Sequence, residues 1–229
     1  NAICVEASTE VKRVVTSVSF RSLLVDRAIE LEADTIIVHH PHGFWNNESR
    51  LPVGILGKQV GKLFKHGISL YGFHLPLDGH LEIGNNALIA KALGAKVTST
   101  FMREGEKDIA CVATFENALS KTEFMEKLES VFSNGVKDSF LYGKDEIKTL
   151  AICSGGGSSG LSEALSLGVD CFLTGEIKET SPIFAEENAF NLVACGHHRT
   201  EVFGVKALAE KISTELGIFA EFVDVDNPI

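Results

Sequence analysis

The chain has 229 residues, which is enough for one large domain or two smaller lobes, each with its own hydrophobic core. Its composition, with 45% hydrophobic and 23% charged residues, is typical of a globular protein. The formal net charge of −10 disfavours nonspecific binding to nucleic acid, which requires Lys and Arg to neutralise phosphates. No run of about 18 apolar residues is present, so the sequence predicts no membrane span.

The cysteines indicate a reducing environment. They are odd in number and widely spaced, and none forms a Cys-x-x-Cys pair: Cys4, Cys111, Cys153, Cys171 and Cys195. Four lie in apolar, strand-like runs, so we expect reduced core thiols in a cytoplasmic protein. The first six residues lack the charged segment of a signal peptide, and with no initiator Met the sequence is expected to begin inside the gene product.

Strand-like and helix-like stretches alternate along the first part of the chain. The predicted order is strand 12–19, helix 20–33, strand 35–38, helix 55–66, strand 69–73 and helix 86–93. Gly67 and Gly94 follow two of these helices, as glycines at helix ends commonly do.

A second series of alternating elements follows. Its predicted order is strand 108–115, helix 121–132, strand 147–153, a helix from near residue 160, strand 170–174, helix 183–188, strand 191–195, helix 201–216 and strand 218–225. Ser120 and Glu123 have the spacing of a capping box at the start of helix 121–132. The alternation predicts an α/β fold with parallel or mixed sheets flanked by helices. The polar stretch 98–107 suggests a boundary between a lobe of residues 1–97 and 195–229 and a lobe of residues 98–194.

Three separated stretches place imidazole or carboxylate groups where a predicted strand ends. His39 and His40 end an apolar run before Pro41, and Asp78 follows strand 69–73. The strand ending at residue 195 is followed by His197 and Glu201, whose spacing of four puts them on one helix face. Ligands gather at the carboxyl ends of strands in open α/β sheets. These nitrogen and oxygen donors therefore predict one or two divalent ions, with Zn, Fe, Mn, Ni or Co as candidates.

A glycine-rich loop lies between a predicted strand and a predicted helix. Gly155, Gly157 and Gly160 match Gly-x-Gly-x-x-Gly, and Glu176 or Glu179 falls near the distance of a ribose-binding acid. Three interpretations stay open: a dinucleotide site, a loop that holds a phosphate or another anion, and a tight turn that packs beneath another element.

Several motifs together resemble the Nif-three-like dinuclear-metal family, whose bacterial members are called GTP cyclohydrolase 1 type 2 homologues. The matching segments run in order over nearly the whole chain: 34–41 (DTIIVHHP), 71–78 (YGFHLPLD), 84–87 (GNNA), 153–160 (CSGGGSSG), 174–176 (TGE), 196–201 (GHHRTE) and 225–228 (VDNP). The resemblance implies a two-lobed α/β subunit that assembles into a ring-shaped homohexamer with metal sites facing an internal cavity.

The resemblance also implies a ligand set and roles for two further residues. Two metal ions would be held by His39, His40, Asp78, His197 and Glu201, with Glu201 as the bridge, and His74 and Glu176 match positions that line the cavity. The chemistry of such a site adds proton transfer by His74 or Glu176. The expected function is that of a hydrolase that uses a metal-activated water on a small nucleotide-like or amide-bearing molecule. Two alternatives stay open. One is a non-enzymatic ring that binds protein or single-stranded nucleic acid around a structural metal, and the other is an oxidoreductase that uses the glycine loop.

Overall fold

The computed structural model describes residues 1–45, 51–132 and 135–228. The chain divides into two compact units, the first formed by residues 1–77 and 204–226 and the second by residues 78–203 and 227–229. The predicted lobe boundaries stay a prediction, which this division does not test. None of the helices in the described ranges combines the length and the apolar composition that a bilayer crossing requires.

The first unit is built on a five-stranded sheet with the strand order β1-β4-β3-β2-β11. Its elements are β1 (Ala2–Val5), β2 (Arg13–Ser19), α1 (Ser22–Glu30), β3 (Thr35–His40), α2 (Gly54–His66), β4 (Ser69–Gly72) and β11 (Phe219–Phe222). The four strands from β4 to β11 are parallel to one another, and β1 adds an antiparallel edge. Helices α1 and α2 contribute Leu24, Ala28 and Leu63 to the buried core, which β3 completes through Ile36 and Val38.

The second unit is built on a six-stranded mixed sheet with the strand order β5-β6-β8-β9-β10-β7. Its elements in chain order are α4 (Asn85–Ala92), β5 (Lys96–Glu104), β6 (Lys107–Ser120), α5 (Lys121–Val131), β7 (Asp138–Leu141), β8 (Glu146–Cys153), a 3-10 turn (Gly157–Gly160), α6 (Leu161–Ser166), β9 (Cys171–Thr174), α7 (Thr180–Glu187) and β10 (Asn191–Ala194). A short α3 (Leu75–Asp78) and the long α8 (His197–Leu216) each cross the boundary between the units along the chain.

Both faces of the second sheet are covered. Successive strand residues point to opposite faces, and the core divides accordingly: Leu150 and Ile152 of β8 lie in one buried cluster, whereas Ala151 and Cys153 lie in the other. Two-sided burial explains why the second half of β8 and most of β9 and β10 read as apolar runs in the sequence. An α/β fold with two mixed, helix-flanked sheets is therefore confirmed.

The structure differs from the predicted elements mainly at the edges of the sheets. β1 and β7, two four-residue edge strands, are not predicted, because neither lies within a longer strand-like run as β11 does. The polar stretch 98–107 lies largely within β5, whose polarity reflects an exposed position at a sheet edge. The capping box is confirmed, since the Ser120 side chain accepts a hydrogen bond from the Glu123 amide and the Glu123 carboxylate accepts one from the Ser120 amide.

Candidate metal centre

In the first unit, three imidazoles gather at the carboxyl ends of neighbouring parallel strands. β3 continues through His39 to His40, two residues beyond the predicted strand end, and both histidines are buried. Their ring centroids are 4.6 Å apart, and those of His39 and His74 are 4.9 Å apart. One potential ligand atom from each of the three rings lies within 4.8 Å of the other two. His74 thus lies beside the histidine pair, and its expected role in lining a cavity and moving protons stays a prediction.

The orientation of His39 is set by the backbone of the next strand. Its Nδ1 lies 2.9 Å from the carbonyl oxygen of Phe73, to which a protonated Nδ1 donates a hydrogen bond. That bond selects the tautomer in which Nε2 carries the lone pair, the usual arrangement of a metal-ligating histidine. Gly72 permits the close approach of the two strand ends, because a Cβ at this position would lie 2.5 Å from Pro41 Cγ.

A tryptophan completes this aromatic group. Trp45 is half-buried, and its ring centroid lies 4.9 Å from that of His74 and 6.0 Å from that of His40. Its Nε1 donates to Nδ1 of His42 at 3.4 Å. No sequence motif assigns a role to Trp45. The available signals were that it is the only tryptophan in the chain and that it lies six residues from His39.

In the second unit, His197 lies between two carboxylates. Its Nε2 is 3.3 Å from Oε2 of Glu201, one helical turn along α8, and its Nδ1 is 3.2 Å from Oε1 of Glu176. α8 begins at His197 and not at Glu201 as predicted, so both residues lie in its first two turns. Burial alone would lower the pKa of His197, but Glu201 and Glu176 outweigh it and raise the pKa to about 9. Two carboxylates that stabilise a positive charge at this point also favour a bound cation.

Asp78 is oriented by amide and hydroxyl donors of its own unit. Its Oδ1 accepts hydrogen bonds from Asn85 Nδ2 at 2.9 Å and from Ser154 Oγ at 3.2 Å. Asn86 supports the same segment by donating to the Ile109 carbonyl and accepting from the Ser154 amide. An oxygen of Asp78 and an oxygen of Glu201 lie within 4.8 Å of each other. Asn85 belongs to a segment that carries the resemblance, but nothing in the sequence indicates its contact with Asp78.

The glycine loop packs closely against α8, the helix that carries His197 and Glu201. Gly155 has a φ of +59°, and a Cβ at this position would collide with Oε1 of Glu201 and lie 3.0 Å from Nε2 of His197. Its amide donates to Oγ1 of Thr200 at 2.9 Å. Gly157 and Gly160 make similarly close approaches, to Cys153 and to Met102. These contacts favour the tight-turn interpretation, and the predicted anion-binding role of Gly155, Gly157 and Gly160 stays a prediction.

The buried cysteines are poor candidates for a nucleophile. All five are free thiols, and four are buried. Burial raises the pKa of Cys111 to about 12, and burial together with the charges of Asp78 and Glu201 raises the pKa of Cys153 to about 12. Such thiols stay protonated and unreactive at neutral pH. The cytoplasmic location expected from the cysteines stays a prediction.

The predicted site residues thus form two groups. His39, His40 and His74 lie together in the first unit, and Asp78, Glu176, His197 and Glu201 lie near one another or near the glycine loop in the second. The fold and these residues define the class: a two-unit α/β protein with groups of buried and partly buried imidazole and carboxylate donors that could hold metal ions.

Comparison with known proteins identifies the family. The chain belongs to the Duf34/NIF3 (NGG1p interacting factor 3) family, whose sequence pattern matches residues 2–228. The family resemblance seen in the sequence motifs is therefore confirmed.

Its relatives include bacterial proteins named GTP cyclohydrolase 1 type 2 homolog. Those of Haemophilus influenzae and Yersinia pestis are 37% and 36% identical to it over 228 residues, which cover all of this chain and 90% of each relative. Among solved structures, a protein described as ybgI of unknown function is 33% identical, with a TM-score of 0.93 over all of this chain and 90% of that one. TTHA1606 from Thermus thermophilus is 30% identical, with a TM-score of 0.87 over 99% of this chain and 88% of its own.

Proposed function

We propose that the protein is a metal-dependent hydrolase in which His39, His40, Asp78, His197 and Glu201 bind two divalent ions per chain, with Glu201 bridging them. The observation that carries the proposal is the gathering of three imidazoles, those of the buried His39 and His40 and of the partly buried His74, with one potential ligand atom of each within 4.8 Å of the others. Buried histidines and carboxylates at strand ends are costly to a fold unless they are paired or bind metal.

The chemistry of the donors fits divalent transition metals. The donor atoms are imidazole nitrogens and carboxylate oxygens, the combination that suits Zn, Fe, Mn, Ni and Co, and no cysteine belongs to the proposed set. The Phe73 carbonyl fixes the tautomer of His39, and Asn85 and Ser154 fix one oxygen of Asp78. Partners of this kind orient ligating side chains and raise metal affinity.

The bound ions would supply two things: a water of lowered pKa, and polarisation of a carbonyl or phosphoryl oxygen. Two residues of the chain are suited to move the protons of a hydrolysis. His74 lies beside His39 and His40, and Glu176 accepts from His197 while half of its side chain stays exposed. We assign His74 the transfer of a proton to the leaving group and Glu176 the exchange of protons with solvent. The substrate would be a small nucleotide-like or amide-bearing molecule.

The proposal is tested by metal analysis followed by turnover. We expect close to two transition-metal ions per chain by elemental analysis, with hydrolysis of a small-molecule panel that is abolished by a chelator and restored by metal. Reagents directed at serine or cysteine should leave the rate unchanged, because the proposed nucleophile is a metal-activated water and the Cys111 and Cys153 thiols stay protonated. Protein that neither contains nor takes up metal would contradict the metal centre. Metal without turnover would favour the non-enzymatic alternative.

A further inference from the structure

Phe44 and Trp45 are adjacent aromatic residues with different surroundings. Phe44 packs against the core of the first unit, and its ring centroid is 6.1 Å from that of Phe20. Trp45 is not among the residues of that core cluster, and it meets imidazole rings instead. Core packing therefore explains Phe44 but leaves the position of Trp45 to be explained.

The surroundings of Trp45 are those of a ligand-contacting residue. It remains half-buried, and its ring lies within 6.4 Å, centroid to centroid, of His40, His42 and His74. Two of these neighbours, His40 and His74, belong to the group proposed to bind metal and move protons. A small molecule bound at His40 would therefore lie within reach of the Trp45 indole ring.

We propose that Trp45 is a specificity-determining residue that stacks on a planar heteroaromatic ring of the substrate, of the nucleobase type. This inference rests on the proposed function, since it concerns the same site. Indole offers the largest aromatic face of any side chain, and stacking on it tolerates any base. Metal ions on His39 and His40 would attract the anionic part of such a substrate and leave the ring for Trp45.

If the metal ions bind the phosphate and Trp45 binds the base, two probes should differ in how much their binding depends on Trp45. Guanosine monophosphate carries a base, whereas ribose 5-phosphate carries the same sugar and phosphate without one. Stacking of one base on an aromatic side chain is worth an affinity factor of about 5 to 150. We therefore expect Trp45→Leu to weaken guanosine monophosphate binding by about that factor, with ribose 5-phosphate binding and metal content unchanged. Trp45→Phe retains an aromatic face and serves as the matched control, with a loss of at most about threefold.

The measurement is calorimetric titration of the metal-loaded full chain, supported by fluorescence. Because the sequence contains one tryptophan, quenching of its emission by guanosine monophosphate reports on Trp45 alone. The inference is overturned if the wild-type protein binds guanosine monophosphate no more tightly than ribose 5-phosphate. It is also overturned if Trp45→Leu weakens both probes equally, since that pattern indicates a structural support of the histidines.

These measurements test base stacking on Trp45 separately from the proposed hydrolase activity. Trp45-dependent binding of the base without any turnover would refute the hydrolase and leave the stacking role standing. Chelator-sensitive turnover with base binding that does not depend on Trp45 would refute the stacking role alone.

Discussion

Glu201 carries the largest share of the proposed metal chemistry. Its side chain is 3% exposed, and it contacts His197 from the next turn of the same helix. We expect Glu201→Ala to remove most of the bound metal, because loss of a bridging carboxylate disables both ion positions. His80→Ala is the control: this exposed ring accepts hydrogen bonds from the Glu82 and Ile83 amides of its own turn. A residue outside the ligand set should cost at most about 10–100-fold in affinity. Equal metal content in the two variants would contradict the assignment.

Asp170 is a carboxylate whose charge supports the fold away from the candidate site. It accepts hydrogen bonds from Lys144 Nζ at 2.7 Å, from Thr149 Oγ1 at 2.8 Å and from the Lys148 and Thr149 amides. Burial alone would raise its pKa, but these donors outweigh burial and lower the pKa below its usual value. The ionised form is therefore bound more favourably in the folded protein than in the unfolded chain.

This depressed pKa predicts a pH-dependent loss of stability. The contribution of Asp170 is fully present above the unfolded pKa of about 3.9 and is lost as the pH falls through the lower folded pKa. We expect Asp170→Asn to lower the free energy of unfolding by about 1–3 kcal/mol at pH 7. The difference from wild type should shrink in denaturant titrations below about pH 4.

The control for Asp170 is Asp145→Asn. This change also removes one carboxylate, but the Asp145 side chain is 97% exposed in its pair with Lys121, so we expect little effect at any pH. A deficit in Asp170→Asn that is constant from pH 7 to pH 3 would show that the charge is not its cause.

Among the elements, the loop after β8 lies so close to the first turns of α8 that position 155 has no room for a side chain. Gly155→Ala adds a Cβ that collides with Glu201 and strains a residue at a φ of +59°. Gly168→Ala is the matched control, since its φ is +72° and its Cβ would meet no atom within 4 Å. The backbone strain should cost about 1–2 kcal/mol in both variants.

Only Gly155→Ala should also lose metal, because only there is a ligand displaced. Thermal unfolding and elemental analysis of the two proteins separate the effects. If Gly155→Ala retains the wild-type metal content and is merely less stable, close approach to Glu201 is not what the glycine provides.

The helices and strands of this fold could be predicted where the apolar residues follow a single helical or strand spacing. Helix α2 and strand β8 follow the sequence pattern within one residue at each end. The start of α8 was missed, because His197-His198-Arg199-Thr200 has no apolar period to mark it. Among the candidate site residues, the strand-end position of His39 and the one-turn spacing of Glu201 from His197 could be predicted from the sequence. Trp45 and Asn85 could not, because their contacts arise from residues brought together only by the fold.

At the scale of the whole molecule, we propose assembly into the ring-shaped homohexamer that the family resemblance implies. Apolar side chains are exposed just before and at the start of α2: Leu51, Val53 and Ile55 are 66%, 69% and 71% exposed. Exposed apolar groups close together commonly mark an interface between proteins. Light scattering should give six times the chain mass of 24.7 kDa.

A charge in this apolar segment should weaken the assembly. We expect Ile55→Glu to lower the mass measured by light scattering, because a carboxylate is costly to bury in an apolar interface. Leu216→Glu introduces the same charge at a side chain that is 67% exposed elsewhere, and it should leave the mass unchanged. A monomer mass for the wild-type protein would exclude the ring.

The discontinuous first unit imposes an order of events during protein synthesis. β2 pairs in parallel with β11, and Thr16 donates to the Val205 carbonyl. The residues of β2 therefore cannot form these contacts until the ribosome has added about 200 more residues. The sheet of the second unit lies within residues 78–203 and can be complete while the β11 side of β2 is still an open edge. Such an edge is a template for pairing with other chains. A nascent chain that stalls after residue 203 is therefore at its greatest risk of aggregation, although most of its sequence has already been translated.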